Sequence, residues 1–292
     1  MMDDETFAMY REAGVIAAKV LRRGAEMVKE GVSILEVVEA TEAMAVDEGA
    51  MLAFPLNVSL NEDAAHDTAT PGDERTFSPG DLVKIDLGVH IDGYIADTAR
   101  TVDLGSNGLL VEASRSALEA AIALVRPGVT TGELGAAVQQ EIEQRGYRPV
   151  ANLTGHGLHR YDLHGPPTIP NIGISGGATL EEGMAFAIEP FATTGSGRVS
   201  ERSRTEIYQQ IAQKPTRLPS ARRILELSRK SHGLPFARRW VGGDKVEIGL
   251  NTLVRSKILH PFPVLHDVSG SLVSQAEHTM IVTEDGCVVT TR

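Results

Sequence analysis

The chain has 292 residues, 42% hydrophobic and 23% charged, with a formal net charge of −11, so it is long enough for one large domain or two small ones. No apolar run approaches the roughly 18 residues of a membrane span, and the acidic start lacks the regions of a signal peptide, so we expect no membrane association. The single cysteine, Cys287, excludes an intramolecular disulfide framework and indicates a reducing cytoplasm.

The chain begins with two predicted helices. Apolar residues recur at helical spacing over residues 3–29, which predicts the first helix. Ser33 and Glu36 have the spacing of a capping box, so a second helix is expected to run to about Glu48.

The pattern of the first half returns in the second. VKEGVSILEV, from Val28, aligns with VRPGVTTGEL, from Val125, at a shift of 97 residues. GDLVKIDLG aligns with EGMAFAIEP at a shift of 103, which places Asp86 on Glu189. The common order and similar shift predict a duplicated α+β architecture, with two helices followed by strands in each half.

The segment LVKIDLGVHIDGYIADTARTV alternates like two strands around the hairpin turn Asp92-Gly93. Counting outward from that turn pairs Gly88 with Asp97 and puts Asp86 on the same face. Two carboxylates there would repel each other unless a cation lay between them, and Gly88 would leave room for that ion. The pair therefore predicts a metal site, whereas the alternative is that both side chains cap turns or face solvent.

Three further residues extend this candidate ligand set. His156 lies between two glycines, Glu189 ends the apolar run MAFAIEP, and Glu277 is polar within a strand-like run. Singly, each has an ordinary alternative, as an exposed Glu or a hydrogen-bonded His. Together with Asp86 and Asp97 they form the oxygen-rich set, with one imidazole, that suits a two-metal hydrolase.

Residues 198–257 differ in charge from the rest of the chain. They hold 14 Lys and Arg but only five Asp and Glu, within a protein of net charge −11. A basic segment in an acidic body indicates an insertion with its own surface role. Within it, Ser220 is the predicted N-cap of the helix ARRILELSRK.

These motifs belong to five segments: FPLNVSLNEDAAHDTAT, KIDLGVHIDGYIADTART, LTGHGLHRYDLHG, AFAIEPFATTG and SQAEHTMIV. Together they resemble the methionine aminopeptidases, from about residue 7 to the C-terminus. The insertion resembles that of the type II enzymes, and the early first helix resembles the archaeal form. The resemblance implies the α+β "pita-bread" fold, with pseudo-two-fold related halves, a single catalytic domain over residues 1–292 and a helical insertion subdomain over residues 198–257.

The resemblance also implies roles for the metal ligands. Asp86 would chelate one divalent ion, His156 and Glu189 would hold a second, and Asp97 and Glu277 would bridge the two. Co, Mn, Fe and Zn all fit such a ligand set.

Substrate contacts follow from the same resemblance. His164 would stabilise the oxyanion or position the carbonyl, His66 would assist the leaving amide, and Glu189 would also act as the proton shuttle. Phe54 and Phe262 would form walls of the methionine pocket, with ordinary core packing as the alternative for both.

The implied activity is removal of the N-terminal methionine from nascent polypeptides by a cytoplasmic, monomeric enzyme. Two alternatives remain: an Xaa-Pro-directed peptidase with the same fold and ligands, and a catalytically dead relative that binds ribosomes or RNA. For the basic insertion we expect contact with ribosomal RNA, and a solvated helical face that balances an acidic body is the alternative.

Overall fold

The structure, a computed structural model, describes residues 2–292. None of the helices in that range combines the length and apolar character of a membrane span. The helices are α1 (Asp4–Met27), α2 (Ile34–Asp47), α3 (Gly108–Ile122), α4 (Thr131–Gln144), α5 (Pro219–Lys230) and α6 (Val246–Arg255).

Among residues 2–292, the strands assemble into four sheets. The orders are β1-β4-β2 with β5 beside β4, then β14-β10-β6, then β12-β11-β13-β3, and finally β16-β15-β9-β7-β8. The strands are β1 (Met51–Leu52), β2 (Asn57–Leu60), β3 (Asp63–Ala65), β4 (Leu82–Ile91), β5 (Tyr94–Asp103), β6 (Arg148–Pro149), β7 (Thr154–His159), β8 (Asp162–Pro170), β9 (Ala185–Ile188), β10 (Phe191–Thr193), β11 (Ser200–Gln210), β12 (Phe236–Ala237), β13 (Leu259–His266), β14 (Val273–Gln275), β15 (His278–Val282) and β16 (Cys287–Val289).

The predicted helix boundaries agree with the structure to within two residues. Asp3 caps α1 by accepting a hydrogen bond from the Thr6 amide. Ser33 caps α2 by accepting one from the Glu36 amide. The fully reciprocal capping box forms at the matching position of the second half, between Thr130 and Glu133.

The internal repeat is confirmed by backbone contacts. A shift of 97 residues superimposes the limits of α2 on those of α4. The Gly31 amide donates to the Phe77 carbonyl at 2.8 Å, and the Gly128 amide donates to the Leu180 carbonyl at 2.9 Å. Each glycine has a positive φ, a conformation that costs glycine little. The same correspondence holds for isolated bridges, which pair Ser33 with Thr76 and Thr130 with Thr179.

Each half buries its strands under its own pair of helices. In the first half, Val20 of α1 and Val37 of α2 pack in one apolar cluster with Ile85 of β4. In the second half, Leu118 of α3 packs in a separate cluster with Phe186 of β9. The helices therefore lie outside, and the strands of the two halves meet between them.

The N-cap prediction in the insertion is wrong by two residues. Helix α5 begins at Pro219 and Leu218 precedes it as the cap. Proline is favoured in the first helical turn because it has no amide hydrogen to leave unpaired. Ser220 consequently lies inside the helix, where it is buried.

Several basic residues of the insertion point toward the acidic body. Arg202 pairs with Asp63 at 2.5 Å and Glu62 at 3.2 Å. Arg204 pairs with the buried Asp67. Part of the positive charge of residues 198–257 thus fixes the insertion to the first half rather than facing solvent.

The most deeply buried of these pairs joins Arg239 to Glu42. The Arg239 side chain is only 5% exposed, and it also donates to Thr68 Oγ1 at 2.8 Å. Glu42 accepts further hydrogen bonds from the Leu56 amide and the Trp240 indole, both at 3.0 Å. This network joins the insertion to the loop that precedes β2.

We expect Arg239→Met to lower the free energy of unfolding by about 3–5 kcal/mol, because it leaves the Glu42 carboxylate buried without its cation. Urea denaturation at neutral pH measures the effect. The matched control, Arg222→Met at an exposed position of α5, should change stability by no more than about 0.5 kcal/mol. Equal stabilities of the two variants would contradict the role given to Arg239.

Candidate active site

The hairpin that carries the first two candidate ligands forms in the predicted register. Asp92 and Gly93 both have positive φ, 47° and 88°, as the tight turn between twisted strands requires. Gly88 faces Asp97 across the hairpin, and Asp86 lies two residues before Gly88 on β4. The prediction that Asp86 and Asp97 share a face is therefore confirmed.

All five predicted ligands line one cavity of about 210 Å³ between the two halves. His156 Nε2 lies 3.6 Å from an Asp97 oxygen and 3.9 Å from a Glu189 oxygen. Asp97, His156 and Glu277 each offer a ligand atom within 4.8 Å of the others. Asp86 completes the set at the wall of the same cavity.

Strand ends and close strand packing position these side chains. Glu189 follows β9 directly, and Glu277 lies in the break between β14 and β15. His156 lies in the middle of β7, between two glycines. A Cβ on Gly155 would overlap the Ala187 carbonyl and one on Gly157 would overlap that of Pro166, so both glycines are needed for β7 to pack against its neighbours.

The four carboxylates are strongly unfavourable without a counter-charge. Loss of solvent raises the pKa of Asp86 to about 7. Loss of solvent, reinforced by neighbouring carboxylates, holds the pKa values of Asp97, Glu189 and Glu277 well above their usual range. One oxygen each of Asp86, Asp97 and Glu277 has no hydrogen-bond partner among residues 2–292.

This donor set fits divalent metal ions. Unpartnered carboxylate oxygens around one imidazole are the ligands that Mn, Fe, Co and Zn accept. Burial lowers the pKa of His156 to about 3, so its ring is neutral and keeps a lone pair for a metal.

Two further polar residues at the site were missed from the sequence. Gln275 Nε2 lies 3.5 Å from the second Glu189 oxygen. Its position two residues before Glu277 was a usable signal, because alternate residues of an extended segment share a face. The other is Asn57, which lines the cavity and is paired in register with Asp86. Its proximity depends on strand pairing that the sequence does not specify.

Two histidines and one aromatic ring, His66, His164 and Phe262, line the same cavity. The His164 ring lies 4.6 Å from the His156 ring, and the His66 ring lies 5.3 Å from the Phe262 ring, both edge to face. Loss of solvent lowers the pKa of His66 to about 4 and also lowers that of His164. Both imidazoles are therefore neutral near pH 7, each with one hydrogen-bond donor and one acceptor.

Phe54 lies beside the candidate ligands and corrects one expectation. A Cβ on Gly88 would overlap the Phe54 ring, so the space at Gly88 is filled by that ring rather than kept free for an ion. Phe54 is buried and lines the cavity together with Leu163 and Phe191.

The basic insertion also contributes to the cavity wall. Ile207 from β11 and Pro235 from the segment before β12 line it. Phe262 lines it too, but it lies on β13, beyond residue 257. Ile207 and Pro235 were missed, because nothing in an isolated apolar residue marks it as lining a site rather than a core.

The fold and the site together define a metallohydrolase built from two related halves, and the profile of metallopeptidase family M24 matches residues 8–284. A methionine aminopeptidase from Archaeoglobus fulgidus is 50% identical over 292 residues, which cover 100% of both chains. The chain therefore belongs to metallopeptidase family M24 and, within it, to the methionine aminopeptidases.

Solved structures with low identity share the fold. A methionine aminopeptidase from Thermotoga maritima superimposes with a TM-score of 0.75 at 24% identity, covering 100% of this chain and 98% of that one. A thermophilic Arx1 superimposes with a TM-score of 0.89 at 19% identity, covering 99% of this chain and 91% of that one. The pita-bread fold implied by the sequence resemblance is thereby confirmed.

Proposed function

We propose that this chain removes the N-terminal methionine from nascent proteins and peptides by hydrolysing the first peptide bond at a two-metal site. The observation that carries the proposal is the convergence of four carboxylates and one imidazole on a single cavity, where three carboxylate oxygens have no partner among residues 2–292. Apolar side chains on the same cavity suit a methionine side chain. Membership of the methionine aminopeptidases supports the choice of substrate.

The proposed ligand assignment uses all five residues. Asp97 and Glu277 would bridge two ions of Co, Mn, Fe or Zn, Asp86 would complete the ligands of one ion, and His156 and Glu189 would complete those of the other. Bound ions of this kind lower the pKa of a water molecule and polarise the scissile carbonyl.

The neighbouring side chains supply proton transfer and hydrogen bonds. Glu189, held by Gln275, accepts the proton of the attacking water and passes it to the leaving nitrogen. His164 donates a hydrogen bond to the carbonyl oxygen as negative charge develops there. His66, which lines the same cavity, donates to the leaving amide.

For the methionine side chain we propose a pocket formed by Phe54 and Phe262. Gly88→Ala should push the Phe54 ring into that pocket and lower kcat/KM for Met-Ala-Ser by about 10-fold or more, the scale of a one-methylene misfit. Steady-state kinetics measure the loss. The metal content of the variant should stay unchanged, because the added methyl group contacts the Phe54 ring rather than a candidate metal ligand. The matched control is Gly108→Ala, where an added Cβ meets nothing within 4 Å. A normal kcat/KM for Gly88→Ala would contradict this pocket.

A side-by-side peptide assay tests the proposed function. Met-Ala-Ser should release methionine, whereas N-acetyl-Met-Ala-Ser and Ala-Pro peptides should stay intact. Faster cleavage of Ala-Pro would favour the Xaa-Pro-directed alternative. If none of the peptides is cleaved with any of the four added metals, Co, Mn, Fe or Zn, the result would favour the alternative of a catalytically dead relative.

We also propose that the insertion contacts ribosomal RNA. Lys214, Arg222 and Arg229 line an open groove beside α5 and are exposed, unlike the arginines paired with the body. Co-sedimentation with ribosomes should weaken steeply with salt, because phosphate contacts release counterions. Arg222→Glu combined with Arg229→Glu should abolish it. Ribosome binding that does not depend on salt would argue against phosphate contacts. The basic surface of the insertion would then be interpreted as a solvated helical face.

A cytoplasmic location and a monomeric state complete the proposal. Cys287, the single cysteine of the chain, suits a reducing compartment where nascent chains emerge. One chain supplies all the cavity-lining residues described above, so the proposed chemistry needs no second copy.

A further inference from the structure

Threonine hydroxyl groups form hydrogen bonds between the two halves, beside the cavity that the five candidate ligands line. At the junction, the Glu277 amide donates to the Ala99 carbonyl at 3.0 Å, and the Ala99 amide donates to the Glu277 carbonyl at 3.4 Å. On both sides of this backbone pair, threonine side chains make the next contacts between the halves.

Thr279 holds the main chain of Asp97 in two directions. The Asp97 amide donates to Thr279 Oγ1 at 2.8 Å, and the Thr279 hydroxyl donates to the Asp97 carbonyl at 2.8 Å. A hydroxyl can fill both roles because it is a donor and an acceptor at once. Thr279 is fully buried, so no bulk water can replace it.

Thr98 makes the converse contact. Its hydroxyl donates to the Glu277 carbonyl at 2.9 Å, and it is buried as well. Each threonine is therefore bonded to the main chain of a carboxylate residue from the other half: Thr279 to Asp97, and Thr98 to Glu277.

We infer that Thr279 and Thr98 are positioning residues that set the separation of the Asp97 and Glu277 carboxylates and thereby the affinity of the site for divalent metal. The inference rests on the proposed metal role of those two carboxylates. They come from different halves, so no single sheet fixes their distance. They also repel each other when no ion is bound, and cross-half hydrogen bonds oppose that separation.

Calorimetric titration with Mn²⁺ at fixed pH tests the inference. Thr279→Val keeps the side-chain shape but loses the hydroxyl, and should weaken Mn²⁺ affinity by about 10–100-fold, as for other residues that orient metal ligands. Thr279→Ser keeps the hydroxyl and should bind nearly as tightly as the wild type. The matched control is Ser274→Ala, which removes a buried 2.8 Å hydrogen bond to the Leu110 carbonyl, a partner that is not a candidate ligand.

Thermal unfolding in chelator separates positioning from general stability. Thr279→Val and Ser274→Ala should both lower Tm, but only Thr279→Val should lose Mn²⁺ affinity. Equal affinity of Thr279→Val and wild type, or an equal loss in Ser274→Ala, would overturn the inference. If Thr279→Val does not fold, Thr98→Val provides the same comparison. In that variant the Glu277 carbonyl loses the Thr98 hydroxyl but keeps its hydrogen bond from the Ala99 amide. A wild type that binds no Mn²⁺ would instead refute the proposed metal site.

Discussion

Glu277→Gln is expected to abolish release of methionine from Met-Ala-Ser while the chain stays folded. Glutamine has nearly the same volume, and the backbone bonds to Ala99 do not involve the side chain. What disappears is an anionic oxygen that has no partner among residues 2–292 and that we assign to bridging the ions. Activity is measured as kcat/KM with excess metal.

Removal of one of four crowded carboxylates should not destabilise the metal-free protein. In chelator, the Tm of Glu277→Gln should equal or exceed that of the wild type, because loss of solvent, reinforced by repulsion from the neighbouring carboxylates, raises the free energy of the native site. His156→Ala should lose activity in the same way. The matched control is Glu284→Gln, at an exposed turn just after β15, which should behave as wild type. Turnover by Glu277→Gln near the wild-type rate would refute the ligand assignment.

His164→Ala should lower kcat by about 10²–10³-fold, the usual cost of losing one donor to a developing oxyanion. Its ring is neutral, lines the cavity and lies 4.6 Å from that of His156. Because we assign His164 to the substrate rather than to metal, Mn²⁺ affinity should be unchanged. Unchanged Mn²⁺ affinity would distinguish the substrate contact assigned to His164 from the metal-ligand role assigned to Glu277.

A nearby histidine serves as control for His164. His159 ends β7, is exposed, and bonds the Pro166 carbonyl at 2.9 Å. His159→Ala should keep wild-type kcat. If both variants lost activity equally, disturbance of the β7–β8 hairpin would explain the result better than an oxyanion contact.

Local chemistry made much of this fold predictable from sequence. The Asp92-Gly93 turn requires positive φ at both residues, which specified the hairpin and with it the shared face of Asp86 and Asp97. The internal repeat could be detected from the sequence because both halves use glycine to end a helix and serine or threonine to cap the next one. These requirements depend only on neighbouring residues. The placement of His66 and His164 was available only from the family resemblance, since neither has a local signature.

Features that depend on contacts between distant segments were missed or misread. Gly88 makes room for the ring of Phe54, which is 34 residues away in sequence, and no pattern around Gly88 indicates that partner. The net charge of the insertion did not reveal that Arg204 and Arg239 pair with carboxylates of the first half. A charge count reports composition, whereas the partner of each arginine is decided by packing.

The most direct test of the two-metal site is a crystal structure of the Mn²⁺-loaded protein with anomalous data collected at the manganese edge. We expect two anomalous peaks in the cavity, with Asp97 and Glu277 contacting both, Asp86 contacting one, and His156 and Glu189 contacting the other. Peaks elsewhere, or full occupancy at a position that these five residues do not contact, would contradict it.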